Sequence, residues 1–346
     1  MKDAPAWRWH RQGLDGSLAG RSAAEVLKMT GWSRSVGSAN PYLALFARAG
    51  LRREKVDAAL AACEIHELPS ARGCTYVLPA EDFALGLAVG RSFRGNEMKV
   101  AAKLGVTDDE MENLRGAIAK ALAKGPLDPD AIRSAVGDTV RSLGPEGKKK
   151  GITTTLPVAL GLLQSAGEIR RVPVNGRLDQ QRYRYAGWNI KPSGDYSDLA
   201  RKFFAWTGGA PAAEFQAFAG LGVKAAKDAM EPLKLVGVEG DILMLPADCD
   251  AYENFQPPKQ PQYSLVGSLD NILPPPGVQE VGLHRIIDRG RLAGTWDFDS
   301  ATESIVWKAL GKADNALKEA VRRTEAFIRE DIAQEQNVKM KGSLGA

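Results

Sequence analysis

A helix that stops at a glycine and leads directly into an arginine-rich hairpin is the feature that most constrains the fold of this chain. The segment from Gly151 to Ala166 has an apolar face, and Gly167 is placed to end the helix. Two short runs rich in Val, Arg and Tyr then flank Asn175-Gly176, which predicts a β-hairpin. Together these elements predict the second half of a winged helix, with a recognition-type helix followed by its wing.

Positive charge is concentrated in the same part of the chain. From Arg141 to Lys191, ten basic and three acidic residues give a charge of +7, whereas the whole 346-residue chain carries +4. Basic groups contact DNA phosphates whatever the base sequence, so this segment favours duplex DNA as the partner. The alternative is a charged, solvated edge that resists strand pairing. The predicted DNA contacts are Lys148, Lys149, Lys150, Thr153, Thr154, Arg170, Arg171, Arg177, Arg182 and Arg184.

Composition excludes several other classes of protein. Apolar residues make up 44% and charged residues 25% of the chain, as in ordinary globular proteins. No apolar run approaches the roughly 20 residues that span a bilayer, and the N-terminus lacks a signal-peptide core. The three cysteines and three histidines are scattered without metal-ligand spacing. We therefore expect a cytoplasmic protein, monomeric, with no metal and no cofactor.

The order of helices followed by a hairpin recurs along the chain. We predict winged-helix domains over 1–100, 104–192 and 195–250, of which the second carries the basic wing. The third hairpin turns at the acidic Glu239-Gly240-Asp241 and is expected to pack rather than to bind DNA. Residues 255–346 predict a β-meander, barrel-like in character, with a C-terminal helix and a frayed end. The expected fold is therefore α+β, with tandem winged-helix (helix-turn-helix) modules around a cleft and a C-terminal β-rich domain.

Local signals predict several elements within these domains. Ser22 to Glu25 and Thr107 to Glu110 have capping-box spacing and predict the starts of helices to about Met29 and Lys124. Residues 65–78 predict a hairpin, and the proline-rich residues 254–276 predict extended chain. Further helices are predicted over 52–62, 128–136, 196–206, 212–219 and 223–229.

Several motifs in this order resemble the AlkZ-like, or YcaQ-like, superfamily of winged-helix DNA glycosylases. The resemblance covers nearly the whole chain, and it implies removal of alkylated or bulky-modified bases from damaged or distorted duplex DNA. The segments that carry it are RQGL (Arg11 to Leu14), ANPYLALFAR (Ala39 to Arg48), ARGCTYVLPAEDF (Ala71 to Phe83), TGGAPAAEFQAFAGLGVKAAK (Thr207 to Lys227) and HRIIDRGRLAGTWDFD (His284 to Asp299).

The resemblance breaks down where the family places its catalytic motif. Glycosylases of this superfamily carry Gln-x-Gln or Gln-x-Asp where this chain has Ser38-Ala39-Asn40. Ser38 and Asn40 are therefore the candidate catalytic residues, since a hydroxyl and an amide can still hold a water, although neither supplies charge. The alternative is that both residues only cap a helix that begins at Pro41.

Three further sets of residues are candidates for DNA contact or catalysis. Arg72 is predicted to bind a phosphate, or else to pair with Glu67 inside the protein. Glu67, Glu81 and Asp82 are the nearest carboxylates that could replace the missing motif, although the last two are also placed to serve a helix N-terminus. Trp7, Trp9 and Trp32 could stack on an extruded base, but core positions are commoner for tryptophan.

Three functions stay open on this basis. The first is a DNA glycosylase-like repair protein, in which case the chain is a hydrolase. The second is a DNA-binding regulator or damage sensor without catalysis. The third is a scaffold reused to bind a small molecule or a protein. The basic hairpin favours the first two.

Overall fold

The chain folds into an α+β protein, as the sequence predicts. In this computed structural model the described residues are 3–35, 38–93, 95–179, 182–271 and 284–332. Within these residues the chain forms fifteen α-helices and twelve β-strands, and the strands form four sheets.

The first part of the chain packs helices around a three-stranded sheet of order β1-β3-β2. Ser22 and Glu25 form the predicted capping box, in which each side chain accepts the backbone N–H of the other residue. The predicted hairpin over 65–78 is present, with Glu67 opposite Val77. The elements are α1 (Ala4–Arg11), α2 (Ala23–Thr30), β1 (Ser33–Arg34), α3 (Asn40–Ala49), α4 (Arg53–Ala61), β2 (Ile65–Pro69), β3 (Thr75–Pro79) and α5 (Phe83–Gly90).

The second part places a bundle of helices before the basic hairpin. Thr107 caps its long helix by accepting the Glu110 N–H, while the Glu110 carboxylate pairs with Arg141 and does not complete the predicted capping box. Gly167 ends the helix before the hairpin with a left-handed backbone, φ +74°. The elements are α6 (Gly95–Lys103), α7 (Asp108–Leu122), α8 (Pro129–Val136), α9 (Gly144–Lys149), α10 (Thr155–Ala166), β4 (Ile169–Pro173) and β5 (Tyr183–Gly187).

The interpretation of α10 as a recognition helix is wrong. Eight of its twelve residues are buried, so most of its circumference faces the protein. Its residues Leu156, Leu160 and Leu163 belong to a core shared with α7 and α8. A helix buried in this way cannot enter a DNA groove, so any contact with DNA in this region falls to the hairpin and to the exposed loop before α10.

The third part repeats a helical group followed by a small sheet of order β6-β8-β7. The predicted hairpin turn at Glu239-Gly240-Asp241 lies between its last two strands. The elements are α11 (Tyr196–Thr207), β6 (Ala210–Pro211), α12 (Ala212–Ala219), α13 (Val223–Met230), β7 (Val236–Glu239), β8 (Ile242–Met244) and α14 (Cys249–Asn254).

The C-terminal part contains the predicted antiparallel meander, of order β12-β11-β10-β9. Its first strand lies inside the proline-rich segment, where only extended chain was predicted. The π-helical turn Ile328–Ile332 continues the last helix, and the predicted frayed end lies outside the described residues. The elements are β9 (Tyr263–Val266), β10 (His284–Asp288), β11 (Arg291–Asp299), β12 (Ser304–Ala309) and α15 (Asn315–Phe327).

Hydrophobic cores join parts of the chain that are distant in sequence. One core packs Val26 and Tyr42 with Ile286, Trp296 and Phe327 of the C-terminal part. Another packs Leu68 and Phe83 with Phe204 and Phe215. The second part has a core of its own. The first part is therefore the centre to which the third and C-terminal parts attach, while the division into four domains stays a prediction.

The loop of the basic hairpin is longer than its Asn-Gly pair predicts. Its strands end at Pro173 and resume at Tyr183, so nine residues separate them. Leu178 in this loop is 1% exposed and packs in the core of the first part. Its backbone N–H donates to the Tyr42 hydroxyl at 2.9 Å, and that hydroxyl donates to Asp57 at 2.5 Å. We call residues 174–179 the docked loop, because they fix the tip of the hairpin to the first part.

Candidate functional site

The candidate site is built around the residues that follow strand β1. The Ser35 backbone N–H donates to the Thr75 carbonyl at 2.9 Å and so continues the pairing with β3. Its hydroxyl donates to Glu67 Oε1 at 2.6 Å. Asn40, at the start of α3, donates its side-chain N–H to the Arg34 carbonyl at 2.8 Å. The adjacent residues Arg34 and Ser35 therefore join the candidate amide to a carboxylate.

Glu67 is a partly buried carboxylate on the strand at the edge of the sheet. Burial raises the pKa of its carboxyl group, and the Ser35 hydrogen bond and the positive charge of Arg171 oppose that rise. Arg171 lies on β4 of the basic hairpin, with its guanidinium carbon 4.3 Å from the centre of the Tyr183 ring. The hairpin and the first sheet thus bring a cation and an acid together.

Asn40 does not cap its helix in the predicted way. Helix α3 has Ala39 at its cap position and no side-chain cap bond, and only a long contact of 3.5 Å joins the Asn40 backbone N–H to the Ser38 hydroxyl. Ser38 is partly buried, whereas Asn40 is 6% exposed. The buried Asn40 Oδ1 accepts no hydrogen bond from the described residues. The capping interpretation is therefore wrong for Asn40, whose amide keeps a free acceptor.

The C-terminal sheet closes the site on the other side of Asn40. A Cβ atom at Gly267 would lie 2.5 Å from Asn40 Oδ1, so the two are in close approach. The next residue, Ser268, donates its backbone N–H to His284 Nδ1 at 2.9 Å. Burial lowers the pKa of His284, so its ring is neutral near pH 7 and carries its proton on Nε2. The site therefore draws on residues more than 200 positions apart.

The predicted DNA-binding residues of the hairpin divide into exposed and engaged groups. Arg182 and Arg184 are exposed and form no ion pair with a described residue. Arg170 is partly buried. The pKa of His66 is lowered to about 3, mainly by burial of its ring and also by the positive charge of Arg170. Lys148 lies in α9, Lys150 and Thr153 follow that helix, and all three are exposed. In the hairpin, Arg170 and Arg184 share one face, and Arg171 lies on the opposite face with Tyr185. Their contact with DNA stays a prediction.

Arg177 has to be removed from the predicted DNA contacts. Its side chain is buried and donates from Nε to Asp179 Oδ1 at 2.8 Å. A guanidinium in such a pair inside the docked loop cannot reach a phosphate. Thr154 is also buried, as the cap of α10. Lys149 pairs with Glu146 at 2.6 Å, but this pair is exposed and is worth little, so the lysine can exchange it for a phosphate.

The contacts of Arg72 and Asp82 bear on the roles predicted for them. Arg72 is exposed in a left-handed conformation, φ +56°, and does not pair with Glu67, which bonds Ser35 instead. Asp82 accepts the Trp32 indole N–H at 2.7 Å and pairs with Lys202 at 2.7 Å. Asp82 lies at the N-cap position of α5, as predicted, although its side chain makes no cap bond there.

The three candidate stacking tryptophans are core residues. Trp7, Trp9 and Trp32 are between 0% and 5% exposed and cannot face an extruded base. Over the described ranges, no three His, Cys, Asp or Glu side chains are grouped so that they could hold a metal ion. In the same part of the chain no helix is both long and apolar enough to cross a membrane.

A separate groove of about 510 Å³ lies between the first helices and α11. Its lining includes Arg11 and Lys202, but these cations already pair with Asp248 and Asp82. The groove therefore has less free positive charge than the hairpin side.

Sequence reasoning located part of this site and missed the rest. Ser38, Asn40, Glu67 and Arg171 were identified from local motifs and charge. Ser35, Gly267 and His284 were not, because their roles depend on contacts between distant segments. The segment that begins at His284 is part of the family resemblance, but nothing in it pointed to Asn40.

Comparisons with known proteins agree on one family and fold. The model of a family described as DNA glycosylase AlkZ-like matches residues 33–274. No curated protein matches the chain. Among solved structures, the DNA glycosylase AlkZ of Streptomyces sahachiroi superposes with a TM-score of 0.70, over 94% of this chain and 98% of that one. The two sequences are 15% identical, so this likeness concerns the fold alone.

Proposed function

Since the chain belongs to the family of AlkZ-like DNA glycosylases, we propose that it is a DNA N-glycosylase that removes alkylated or bulky-modified bases from duplex DNA. In this reaction the bond between C1′ and the base nitrogen breaks, and its electron pair leaves with the base. Water then adds to C1′ of the oxocarbenium-like sugar and loses a proton. A base that is already cationic through alkylation leaves as a neutral molecule, so it needs little assistance.

One observation carries this proposal. The described residues where the family match begins, 33–35 and 38–40, are linked through Glu67 to the basic hairpin, whose exposed Arg182 and Arg184 form no ion pair with a described residue. Arg171 supplies the direct link, because its charge acts on Glu67 and Glu67 bonds to Ser35. We infer that a polyanion bound along the Arg171 side of the hairpin reaches Ser38 and Asn40.

The proposed phosphate contacts are basic or hydroxyl side chains that are exposed or only partly buried. Binding of each phosphate releases a counterion, so affinity depends steeply on salt. We also propose that the protein acts as a monomer in the cytoplasm, where its three cysteine thiols stay reduced. The proposed contacts are Arg72, Lys148, Lys149, Lys150, Thr153, Arg170, Arg171, Arg182 and Arg184.

The test of catalysis is release of free base. Duplexes that carry N3- or N7-alkylpurines, or an interstrand crosslink, are incubated with the protein and assayed for free base and abasic sites. Release above the spontaneous rate, reduced in the Ser38→Ala, Asn40→Ala double variant, is the expected result. Absence of release from every lesion would reject the glycosylase proposal.

The test of the DNA surface is the salt dependence of binding. The Arg182→Ala, Arg184→Ala variant is expected to flatten the slope of log affinity against log salt by about 0.9 for each phosphate that it no longer neutralises. The weakening should be equal for unrelated sequences. A matched double variant at Arg322 and Arg323, on α15, should leave the slope unchanged. A wild-type affinity that barely varies with salt would exclude phosphate binding and favour a scaffold reused for another ligand.

A second candidate function is binding without catalysis, as in a regulator or damage sensor. It is favoured by the Asn40 amide, which bonds the Arg34 carbonyl and replaces the longer glutamine of the family motif. Salt-dependent DNA binding together with no base release would select this function.

A further inference from the structure

We propose that Glu67 is the carboxylate that stabilises the positive charge on the sugar during base excision, and that Ser35 is its positioning residue. This inference rests on the proposed glycosylase function and deepens it. It identifies the negative charge that Ser38 and Asn40 do not provide.

The geometry singles out Glu67 among the carboxylates near the site. Its Oε1 is fixed by the Ser35 hydroxyl at 2.6 Å, while its Oε2 accepts no hydrogen bond from the described residues. Glu81 and Asp82, the other two candidates, are paired with lysines, at 2.8 Å to Lys28 and 2.7 Å to Lys202. Glu67 therefore has one oxygen held in place and one available.

The surroundings of Glu67 strengthen the effect of its charge. From β3 it is faced by the apolar Val77, from the end of β1 by Ser35, and from β4 by Arg171, the one charged group that acts on it among the described residues. His66, next to it on β2, points its ring to Phe83 and Trp188 on the other face of the strand. A carboxylate in such a partly dry site interacts with a developing cation more strongly than it would in water.

The chemistry requires no added reactant. As the bond from C1′ to the base breaks, the electron pair goes to the base and positive charge develops on C1′ and the ring oxygen. The ionised Glu67 stabilises that charge, and the adding water releases its proton to solvent. Arg171 meanwhile keeps Glu67 ionised beside the DNA phosphates, whose negative charges would otherwise favour its protonation.

A binding experiment tests the charge of Glu67 without any turnover. Two duplexes are compared, one with a pyrrolidine abasic-site analogue, which is cationic at neutral pH, and one with the neutral tetrahydrofuran analogue. The wild type is expected to bind the cationic duplex about tenfold more tightly, as one charge-assisted contact would provide. Glu67→Gln should abolish this preference, while Glu81→Gln should keep it.

Base release gives the second measurement. We expect Glu67→Gln to slow release by about a hundredfold, within the range for removal of one transition-state interaction. Since the raised pKa of Glu67 sets the acid limb of the pH–rate profile, Ser35→Ala should move that limb to higher pH. Ser33→Ala, two residues before Ser35 and without a partner for its hydroxyl among the described residues, should not move it.

The outcomes separate the inference from the proposed function. Wild-type release together with unchanged release in Glu67→Gln would overturn the role of Glu67 and leave the glycosylase function intact. No release by the wild type would overturn both. Thermal unfolding of each variant shows whether it is folded, and a Glu67→Asp variant keeps the charge should Glu67→Gln fail to fold. Equal binding of the two analogues by a folded wild type would count against Glu67 by itself.

Discussion

Single atoms decide the shape of the candidate site where Gly267 meets Asn40. The Asn40 side chain is held by the Arg34 carbonyl at 2.8 Å, so it cannot retreat without losing that hydrogen bond. Only a residue without a Cβ atom fits against its Oδ1. The C-terminal sheet therefore limits where the Asn40 amide can point.

Replacement of Gly267 by alanine is expected to displace the Asn40 side chain. We expect Gly267→Ala to lower the free energy of unfolding by about 1–3 kcal/mol, the usual cost of overpacking, and to slow base release. Urea unfolding and the release assay measure the two effects. Gly116→Ala is the matched control, since its added methyl group meets open space inside α7 and should stabilise by up to about 1 kcal/mol. Equal stability of Gly267→Ala and wild type would show that the loop adjusts freely.

His66 predicts a pH dependence of stability. Its ring is 1% exposed, both ring nitrogens lack partners among the described residues, and burial with the charge of Arg170 lowers its pKa to about 3. Between about pH 6.5 and about pH 3, His66 is therefore protonated in the unfolded chain but stays neutral in the folded chain. The contribution of the neutral His66 ring to the free energy of unfolding is fully present above the unfolded pKa of about 6.5. It is lost as the pH falls through that value towards the folded pKa.

The expected size of that effect is about 2 kcal/mol between pH 7 and pH 5. It is measured by urea unfolding at the two pH values. His66→Phe keeps an aromatic ring between Phe83 and Trp188 and should remove this part of the dependence. An unchanged slope in the variant would assign the pH dependence to other groups.

Residue-level predictions succeeded where the deciding partner lay close in sequence. The Ser22–Glu25 and Thr107 caps depend on neighbours three residues away and were predicted correctly. The prediction that Arg177 contacts DNA was wrong, because its guanidinium pairs with Asp179 and the docking of Leu178 buries it. Glu67 could be identified only as a nearby carboxylate, because its bond to Ser35 crosses the sheet.

At the scale of elements, the docked loop joins two parts of the chain. Leu178 fills a position in the core of the first part, and the Arg177 side chain lies 3.5 Å from the Ile332 carbonyl beyond α15. The hairpin strands therefore cannot swing independently of the first sheet.

Leu178→Ala is expected to loosen this attachment. Removal of a buried leucine side chain costs about 2–5 kcal/mol. Because the hairpin carries the proposed phosphate contacts, DNA affinity should fall as well. Val174→Ala, in the same loop and 50% exposed, is the control and should change neither quantity. Chemical unfolding and fluorescence anisotropy with labelled duplex give the two readings. A drop in stability at unchanged affinity would separate docking from DNA binding.

Most of the predicted helices have a local signal, but one helix with such a signal was missed, as was a strand without one. Helices α2, α4, α7, α8 and α11 to α13 have caps or apolar periodicity, and they were found close to their observed bounds. Helix α1 was missed, although Asp3 caps it and Pro5 stands in its first turn. Strand β9 was missed because prolines lie near it in the sequence. It forms by pairing with β10, which comes about 20 residues later and gives no local signal at β9.

At the scale of the whole molecule, a buried ion pair fastens the C-terminal part to the first. Arg48 donates two hydrogen bonds to Asp270, at 2.7 and 2.8 Å, and one to Gln12 at 2.8 Å. Both charged side chains are nearly inaccessible, at 3% and 0% exposed. Asp270 lies three residues after Gly267, so this pair also holds the wall of the candidate site.

Asp270→Ala is expected to leave the Arg48 charge buried without its carboxylate. Such a change costs about 3–5 kcal/mol. Calorimetry should show a lower melting temperature for the transition shared by the first and C-terminal parts. Asp250→Ala, at an exposed carboxylate in α14, should change stability by no more than about 0.5 kcal/mol. Similar melting of the two variants would mean that the apolar core alone holds these parts together.

The fold class was predictable from the sequence, but the assembly of its parts was not. The alternation of helices and hairpins predicted an α+β chain, because each unit shows its own spacing of apolar residues and its own turn residues. The pairing of Tyr42 and Val26 with Trp296 and Phe327 could not be predicted, since apolar periodicity reveals a buried face without naming its partner.

The anchored hairpin tip has a consequence for the nucleic acid. Because the hairpin is fixed to the first part, it cannot move outward to accommodate a straight duplex. The duplex has to deform instead, so we expect bound DNA to be bent. Damaged sites, whose stacking is already weakened, would bend at the lowest energetic cost and would be selected before any base is inspected. Energy transfer between dyes at the two duplex ends would reveal this, and straight DNA in the complex would refute it.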